Sequence, residues 1–490
     1  MRRFLLLVSV ILAAAGALVL SLAVSPWWWC AAGPLLALTA LGAWDLVQTR
    51  HSVLRNYPLL GHLRFLMEKL RPEMQQYFVE RNYDGRPLPS MRPVKVPEDV
   101  PTVRVGGPDC TAPYDMALLN VSAMSFGSLS SHAILALNRG AALGGFAHDT
   151  GEGGLSEYHL RGGGDLIWEI GTGYFGCRTP EGRFNGREFA DKAALPEVKC
   201  VSLKLSQGAK PGIGGVLPGA KVNAEIARAR DVPEGETVVS PPYHQVFTTP
   251  RELVKFLALM RELAGGKPTG FKLCVGSRRQ FLAVCKAMLA EGVTPDFIVV
   301  DGAEGGTGAA PLEFADHLGM PLTEGLITVR NALVGTGLKD RVRIGASGKV
   351  ATGSDIVKRL IQGADYTNAA LAMMFAVGCI QAQRCHTNTC PVGVTTQDRR
   401  RVRALDVTDK SARVHRFQRA TVKSAVQIMA AMGVSDPTDL TTGMLVRRLD
   451  PTTVTPYAEL YEWLAPGELL RQPPASWDAD WRAADPDTFA

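Results

Sequence analysis

Three cysteines lie close together in one short segment of the chain, residues 378–397, which we call the cysteine segment. Cys379, Cys385 and Cys390 follow the spacing C-x5-C-x4-C, and Pro391 comes directly after the last of them. Thiolates are soft ligands that select zinc, copper(I) or iron–sulfur clusters. A segment that ends in Cys-Pro favours an iron–sulfur cluster. Three thiolates without a fourth indicate a cluster with three irons.

Two other interpretations of the cysteine segment remain open. A structural zinc ion usually takes four protein ligands, and His386 is the candidate for the fourth. However, His386 directly follows Cys385, whereas zinc ligands are usually separated by two to four residues. The cysteines could also be buried free thiols, since cysteine is among the most buried residue types. The many polar residues of the segment favour ligands over packing.

Charged side chains near glycine-rich turns form a second group of candidates. Lys204, Lys210 and Lys272 lie in or just after predicted strands, where an ammonium group could hold a carboxylate or stabilise an anion. A surface lysine whose charged end reaches water is the alternative for any one of them. Candidates for acid/base or hydrogen-bonding roles stand in the turns T-G-E-G-G and D-G-A-E-G-G-T-G, and they are Glu152, Asp301, Glu304 and Thr307. Each carboxylate could instead cap a helix.

A repeated order of strand, glycine-rich turn and helix must position these residues. Strands are predicted over residues 117–122, 197–204, 270–275, 296–301, 341–345 and 364–368, and helices over residues 250–263, 280–291, 322–334 and 354–360. This order is typical of parallel α/β folds. A doubly wound sheet would carry one nucleotide fingerprint after its first strand, whereas here polar, glycine-rich turns follow most strands. The sequence therefore predicts an α/β fold of the (β/α)8 TIM barrel type, whose active site is built from loops at one face.

The last two turns of the series favour a phosphate site. The glycine turn that ends in Gly348 and Lys349, and the helix start after Asn368, follow the last two predicted strands. The corresponding loops of such barrels often bind phosphate. Backbone N–H groups at a helix start bind phosphate through unpaired donors and the helix dipole. We therefore expect the anionic end of a ligand at these turns.

The amino-terminal stretch predicts a transmembrane helical hairpin. Residues 4–24 and 27–44 are uncharged apolar runs, and the first can cross a hydrocarbon core of about 30 Å. Basic residues flank both outer ends and none stands in the turn, which predicts that both ends lie in the cytoplasm. These residues are Arg2, Arg3, Arg50, His51 and Arg55. A cleaved signal peptide, with small residues 13–15 as its cleavage site, is the alternative, but the second apolar run argues against it.

The chain is predicted to have four regions and a body in a reducing compartment. They are the hairpin (1–48), juxtamembrane helices with a linker (49–110), the barrel with the cysteine segment (111–430) and a carboxy-terminal extension (431–490). The net charge of +6 is spread along the chain and forms no basic stripe with aromatic residues, so no nucleic acid partner is expected. The six other cysteines are scattered, as in reduced proteins. The histidines His148, His244 and His317 show no metal spacing and are expected to be hydrogen-bonded loop residues.

Six motifs of the body occur in a fixed order. They are S-A-M-S-F-G-S-L-S (122–130), T-G-E-G-G (150–154), Q-G-A-K-P-G-I-G-G-V-L-P-G-A-K-V (207–222), S-P-P-Y-H (240–244), D-G-A-E-G-G-T-G-A-A-P (301–311) and the cysteine segment. Together they resemble the central and FMN domains of the glutamate synthase family, and most closely its shorter, stand-alone, membrane-tethered members. The resemblance covers roughly residues 111–429.

The resemblance implies an FMN-binding (β/α)8 barrel with a [3Fe-4S] cluster beside the flavin. It also implies an oxidoreductase acting on CH–NH2 donors. In the implied reaction 2-oxoglutarate and ammonia give 2-iminoglutarate, and reduced FMN delivers a hydride that yields L-glutamate. Electrons would reach FMN through the cluster.

The resemblance further implies a role for each matching residue. The catalytic set would be Glu152, Gln207, Lys210 and Lys272. Within it, Lys210 would hold a carboxylate of 2-oxoglutarate, and Lys272 and Gln207 would lie near the flavin and the substrate. The FMN-binding set would be Ala123, Met124, Ser125, Lys272, Gly348, Lys349, Asn368, Ala369 and Ala370, with the first three against the flavin ring and the last five at its phosphate. The cluster ligands would be Cys379, Cys385 and Cys390.

Departures from the family pattern bear on substrate and partners. No amidotransferase domain is visible, so ammonia would be free or come from a partner amidotransferase. No NADPH-binding domain is visible either, so the electron donor would be ferredoxin, a reductase subunit or a membrane carrier. The family pattern K-L-V-[SA]-E reads K-L-C-V-G at residues 272–276, and T-G-E-G-G-E-D becomes T-G-E-G-G-L-S at residues 150–156. Alternatives are therefore another 2-oxo acid, methylamine as the amine (as in an N-methylglutamate synthase), or a non-catalytic membrane electron-transfer subunit.

Overall fold

The computed structural model describes residues 4–65, 68, 85–305, 310–311, 313–314 and 317–490. Part of the juxtamembrane stretch, including residues 69–84, lies outside the described residues, and so does the candidate Thr307.

Eight parallel strands close into a barrel. In chain order they are β1 (Leu119–Val121), β2 (His148–Asp149), β3 (Leu166–Ile170), β4 (Val198–Lys204), β5 (Thr269–Leu273), β6 (Phe297–Asp301), β7 (Arg343–Ser347) and β8 (Tyr366–Ala369). Each strand pairs with the next, and β8 pairs with β1 to close the barrel. The predicted (β/α)8 barrel is confirmed. Because all strands are parallel, their carboxyl ends meet at one face and bring their loops together.

A helix packs outside the barrel after each strand. These helices are Ser131–Gly144, Glu157–Leu160, Gly186–Ala193, Pro250–Leu263, Arg278–Glu291, Leu322–Gly335, Gly353–Ile361 and Val407–Ala431. Threonine caps set two of the starts, because the side chains of Thr249 and Thr352 accept the N–H groups of Glu252 and Asp355 in capping boxes. The helix Pro250–Leu263 therefore has its predicted bounds.

The eighth strand and its helix are separated by the cysteine segment. The short helices Leu371–Ala376 and Arg399–Val402 lie on either side of the segment, and the long helix Val407–Ala431 follows. This long helix packs on the first barrel helix at Gly140, where a side-chain carbon would lie 2.6 Å from Val414. The cysteine segment is thus an insertion in the last strand-to-helix connection. That position puts it at the barrel face where the other loops converge.

Two apolar helices stand at the amino terminus. Leu5–Ala23 and Pro26–Val47 are long and apolar enough to cross a membrane, and a signal sequence would meet the same description. Their outer side chains are apolar and exposed, as in Leu22 at 75% and Trp27 at 83%. An apolar surface of this kind usually contacts lipid or another protein. The short helix Ser52–Asn56 follows and packs against the barrel through Val53 and Leu54.

The carboxy-terminal region returns to the barrel. Its strands Leu445–Arg448 and Val454–Pro456 form an antiparallel sheet with Arg86–Pro87. Its last helices are Tyr457–Leu460, Glu468–Arg471 and Ala475–Ala483. Trp477 is buried there, and the Arg278 guanidinium lies 4.5 Å from the centre of its ring.

Further elements lie outside the barrel and the carboxy-terminal region. They are the strand pairs Thr102–Val105 with Tyr114–Ala117 and Val216–Leu217 with Val238–Val239, and the helix Ala224–Arg230.

Candidate active site

A buried ion pair lies inside the barrel. Glu169 on β3 and Lys272 on β5 are only 1% and 4% exposed, and the Lys272 ammonium contacts the Glu169 carboxylate. Burial opposes the charge on Lys272, but the carboxylates of Glu169, Asp149 and Asp301 outweigh it and raise the pKa of Lys272. Lys272 is therefore a fixed cation at neutral pH.

The pKa of Asp149, at the end of β2, is also raised. For an acid this favours the neutral form, whereas for Lys272 it favours the charged form. Burial and the nearby Glu169 raise the pKa of Asp149 to about 8. Lys272 and the Gly151 N–H group, which donates to Asp149 Oδ1 at 3.0 Å, act in the opposite direction but are weaker. At neutral pH this side chain is therefore mainly a protonated carboxyl group. Glu169 and Asp149 were not among the residues predicted from the sequence.

A second buried ion pair stands nearer the loops. Lys204 Nζ lies 3.1 Å from Glu152 Oε1 and 3.0 Å from Gln207 Oε1. Burial by itself would raise the pKa of Glu152, but Lys204 and Arg230 lower it, so the carboxylate is ionised. Burial lowers the pKa of Lys210, with Glu152 opposing the shift. Lys210 thus holds its proton less tightly than an exposed lysine.

One cavity of about 250 Å³ collects most of the predicted residues at the carboxyl face of the barrel. Its lining includes Ala123, Met124, Ser125, Glu152, Gln207, Lys210, Lys272 and Cys385. Apolar walls with a few convergent polar groups are typical of small-molecule sites. The other described candidates do not line this cavity, and they are Asp301, Glu304, Gly348, Lys349, Asn368, Ala369, Ala370, Cys379 and Cys390.

The ends of β7 and β8 offer donors and an unused acceptor. Gly348 and Lys349 both have positive φ, +148° and +48°, so the backbone turns sharply after β7. Asn368 is 1% exposed, and among the described residues its Oδ1 has no hydrogen-bond partner, which suits a ligand hydroxyl or N–H group. The helix Leu371–Ala376 has no side-chain cap, whereas Thr352 and Asp355 cap the helix after β7. Free N–H donors therefore remain at the helix start after Ala370, which fits a phosphate.

The three cysteines of the cysteine segment lie near enough to one another for their charges to interact. Cys390 is buried, and Cys379 and Cys385 are half-buried. Burial raises the pKa of Cys379 to about 11, and the other two thiols add to this shift. Among the described residues, no three His, Cys, Asp or Glu side chains are arranged to hold a metal ion. The donor chemistry fits an iron–sulfur cluster, since three thiols share one loop.

Two cations that sequence reasoning did not single out connect the loops. Lys221 is 2% exposed, and its Nζ donates to the carbonyl oxygens of Ser128, at 3.0 Å, and Cys385, at 2.8 Å. Arg230 Nη2 donates to Ser125 Oγ at 3.3 Å, and burial lowers the pKa of this guanidinium to about 10. Lys221 belongs to the quoted motif of residues 207–222, but only the fold shows that it reaches the cysteine segment.

Three candidates have structural roles in this structure. Asp301 Oδ2 accepts the Gly208 N–H group at 2.8 Å, and the Glu304 carboxylate accepts the N–H group that starts the helix at Leu322. His244 is hydrogen-bonded as expected, because its Nε2 lies 2.9 Å from the Lys204 carbonyl oxygen. Each of these three groups therefore already has a backbone partner.

The expectation for His148 is wrong. This residue lies in β2 and not in a loop, it is fully buried, and neither ring nitrogen has a hydrogen-bond partner within the part of the chain that the structure describes. Burial lowers its pKa to about 3, so the ring is neutral at physiological pH. Sequence reasoning missed its position because a strand of two residues, His148–Asp149, shows no alternating pattern.

The conserved region of glutamate synthase matches residues 112–435 of the chain. This chain belongs to the glutamate synthase family. The resemblance seen in the motifs is confirmed, and the protein is an oxidoreductase of the class that acts on CH–NH2 donors.

Several glutamate synthase relatives align along most of the chain. The glutamate synthase large subunit-like protein YerD of Bacillus subtilis (strain 168) is 35% identical over 80% of this chain and 89% of its own length. The archaeal glutamate synthase [NADPH] of Methanocaldococcus jannaschii is 30% identical over 76% of this chain and 68% of its own. The ferredoxin-dependent glutamate synthase of Antithamnion sp. is 30% identical over 72% of this chain and 22% of its own. Among solved structures, a mandelate oxidase aligns with 75% of this chain and 87% of its own at 15% identity, with a TM-score of 0.46.

Proposed function

We propose that this protein makes L-glutamate by reductive amination of 2-oxoglutarate with ammonia, through 2-iminoglutarate. FMN, when bound, supplies the hydride, and a [3Fe-4S] cluster supplies FMN with electrons. The observation that carries the proposal is the single cavity shared by Ala123, Lys210, Lys272 and Cys385. Residues implied for flavin, substrate and cluster thus meet in one place. The relatives, two glutamate synthases and a glutamate synthase large subunit-like protein, support the same reaction.

The charges of the cavity suit a dicarboxylate substrate. Lys272 is a fixed cation because buried carboxylates hold its proton, so it can stabilise a bound anion. Lys210 also lines the cavity and can bind a substrate carboxylate with its ammonium group. Glu152, ionised and paired with Lys204, fixes that lysine at the cavity wall. Gln207 accepts from the same Lys204, and its amide N–H groups remain available to the substrate.

FMN would extend from the cavity to the ends of β7 and β8. Ala123, Met124 and Ser125 would lie against the flavin ring. The phosphate would be bound by backbone N–H groups at Gly348, Lys349 and Ala370. The uncapped start of the helix Leu371–Ala376 supports this placement of the phosphate. Asn368 Oδ1 could accept a hydrogen bond from a hydroxyl or N–H group of FMN.

The cluster would be held by Cys379, Cys385 and Cys390. Its donor could be ferredoxin, as in the relative whose name states that dependence, or a reductase subunit that uses NADPH. Cys385 lines the proposed substrate and flavin cavity, so the cluster would adjoin the flavin. Cys385→Ser should therefore reduce the iron content and abolish reduction by an external donor, while FMN remains bound. Iron and activity that survive this change would contradict the assignment.

The two amino-terminal helices would anchor the protein in the inner membrane, with the barrel in the cytoplasm. Their length and apolar surface support the anchor. Basic residues on both outer ends support the cytoplasmic placement.

The decisive experiment is anaerobic turnover. Dithionite-reduced enzyme is mixed with 2-oxoglutarate and ammonium, and L-glutamate is measured. Parallel reactions replace ammonium by methylamine, or 2-oxoglutarate by other 2-oxo acids, because the pattern at residues 272–276 departs from the family. If flavin-loaded enzyme forms no glutamate but reductively aminates another combination of 2-oxo acid and amine, the substrate assignment is wrong. If it turns over no combination, the proposal that this protein catalyses reductive amination fails.

A further inference from the structure

A run of arginines directly follows the cysteine segment. Residues 399–403 read R-R-R-V-R, and we call them the arginine run. Arg399, Arg400 and Arg403 are exposed, and within the described part of the chain none of the three forms an ion pair. Arg401 points inward, and its Nη1 donates to the Thr389 carbonyl oxygen at 2.7 Å. The run is thus fixed to the cysteine segment with three unpaired charges facing outward.

The chain that leaves the second apolar helix folds back onto the end of that helix. Asp45 is fully buried near the end of Pro26–Val47, and its carboxylate accepts the Leu59 N–H group and the His62 ring, each at 2.9 Å. Tyr57, two residues before Leu59, has its hydroxyl 3.5 Å from Arg401 Nη1. Two residues span at most about 7 Å. The arginine run is therefore connected, through Tyr57, to the segment that packs on the end of the apolar helix.

Buried contacts hold the barrel in this orientation. The Lys410 side chain is fully buried, and its Nζ donates to the Arg50 carbonyl oxygen at 2.6 Å. Arg55 Nη1 donates to the Ala404 carbonyl oxygen at 3.1 Å, next to the arginine run. Val53 and Leu54 are buried in the same apolar cluster as Leu405. The arginines are therefore held in place relative to the hairpin, because moving them would expose these groups.

We propose that Arg399, Arg400 and Arg403 bind the headgroups of anionic phospholipids and so hold the cysteine segment at the membrane surface. The guanidinium group matches phosphate geometry with paired hydrogen bonds. The field of an anionic membrane falls off over about 8 Å at physiological salt, so added salt should weaken such a contact. The inference rests on the proposed membrane anchorage and not on the proposed reaction.

Hydrogen exchange of the full chain in nanodiscs tests this contact. Nanodiscs are made of phosphatidylcholine alone or with phosphatidylglycerol, and exchange is followed at backbone amides 397–406. We expect exchange about fivefold slower with the anionic lipid, the size of one arginine–membrane attraction, and an effect that weakens at high salt. The triple variant Arg399→Gln/Arg400→Gln/Arg403→Gln should lose the difference. Arg183→Gln/Arg187→Gln, which removes two exposed arginines of the third strand-to-helix unit, should keep it.

Each outcome decides between distinct explanations. Equal exchange in both lipids, or a difference that persists in the triple variant, would overturn the lipid contact while leaving the anchorage intact. Protection that appears only after an acidic soluble protein is added would assign the run to a protein partner instead. A chain that does not enter nanodiscs at all would overturn the anchorage and this inference together. Unchanged thermal unfolding of the triple variant would show that it folds normally.

Discussion

The Lys272–Glu169 pair makes the interior of the barrel sensitive to loss of one charge. Lys272→Met would leave Glu169 as an uncompensated buried carboxylate, and we expect a loss of about 3–5 kcal/mol in the free energy of unfolding together with loss of activity. Lys199→Met is the matched control, because Lys199 pairs with Asp165 at 3.6 Å with both side chains more than a third exposed. It should cost no more than about 1 kcal/mol. Unfolding of the detergent-solubilised chain measures both values, and similar losses would contradict the buried pair.

Asp149 should make stability depend on pH. Its folded pKa of about 8 stands above the ordinary value of 3.8, so the protonated form is favoured in the folded state. The resulting stabilisation is full below about pH 4, falls as the pH rises and is lost above about pH 8. Asp149→Asn cannot titrate. The melting temperature of the wild type minus that of this variant should therefore decrease as the pH is raised from 5 to 8. A difference that stays constant over this range would exclude the protonated carboxyl group.

At the scale of elements, the cysteine segment depends on contacts made far away in the chain. It is an insertion between β8 and the helix Val407–Ala431, and Lys221 joins it to the loop after β1. Hydrogen bonds from a charged donor typically contribute about 1.5–3 kcal/mol each. Lys221 therefore keeps Cys385 beside the cavity.

Lys221→Met should loosen the cysteine segment and lower the iron content of the protein, with FMN retained. Lys267→Met is the matched control, because Lys267 Nζ also donates to two carbonyl oxygens, those of Ala193 and Leu195, which lie outside the cysteine segment. It should cost stability and keep the iron. Iron and flavin are measured per polypeptide after anaerobic purification. Equal iron in both variants would show that Lys221 has no specific part in positioning the segment.

At the scale of the whole molecule, the hairpin should determine where the enzyme resides. We expect the full chain to stay with membranes after high-salt and alkaline washing, because two apolar helices would have to leave the hydrocarbon core. A protease added to the cytoplasmic side should digest the barrel. Extraction by alkali would indicate a peripheral protein, and protection of the barrel from cytoplasmic protease would place it on the other side of the membrane.

Features encoded in neighbouring residues were predictable from the sequence. The glycine turns and apolar runs were sufficient for the barrel, because strand, turn and helix are set by short-range patterns. The strands β2 and β3 were not predicted, since His148–Asp149 is too short to show a pattern and Leu166–Ile170 is buried on all sides despite its glutamate. The spacing of the cysteines and the family motifs indicated the candidate site, although the roles of its residues stay predictions.

The sequence alone determined the fold class, the family and the two apolar helices, because each depends on local spacing or on motifs. Only the tertiary structure decided that Lys272 is paired with Glu169, that Lys221 reaches Cys385 and that Arg401 lies beside Tyr57. These partners are separated by about a hundred residues or more along the chain, and the packing of the barrel, its loops and the segment after the apolar helices brings them together. The cysteine segment therefore gains its position between the active site and the end of the apolar helix from contacts that no local pattern records.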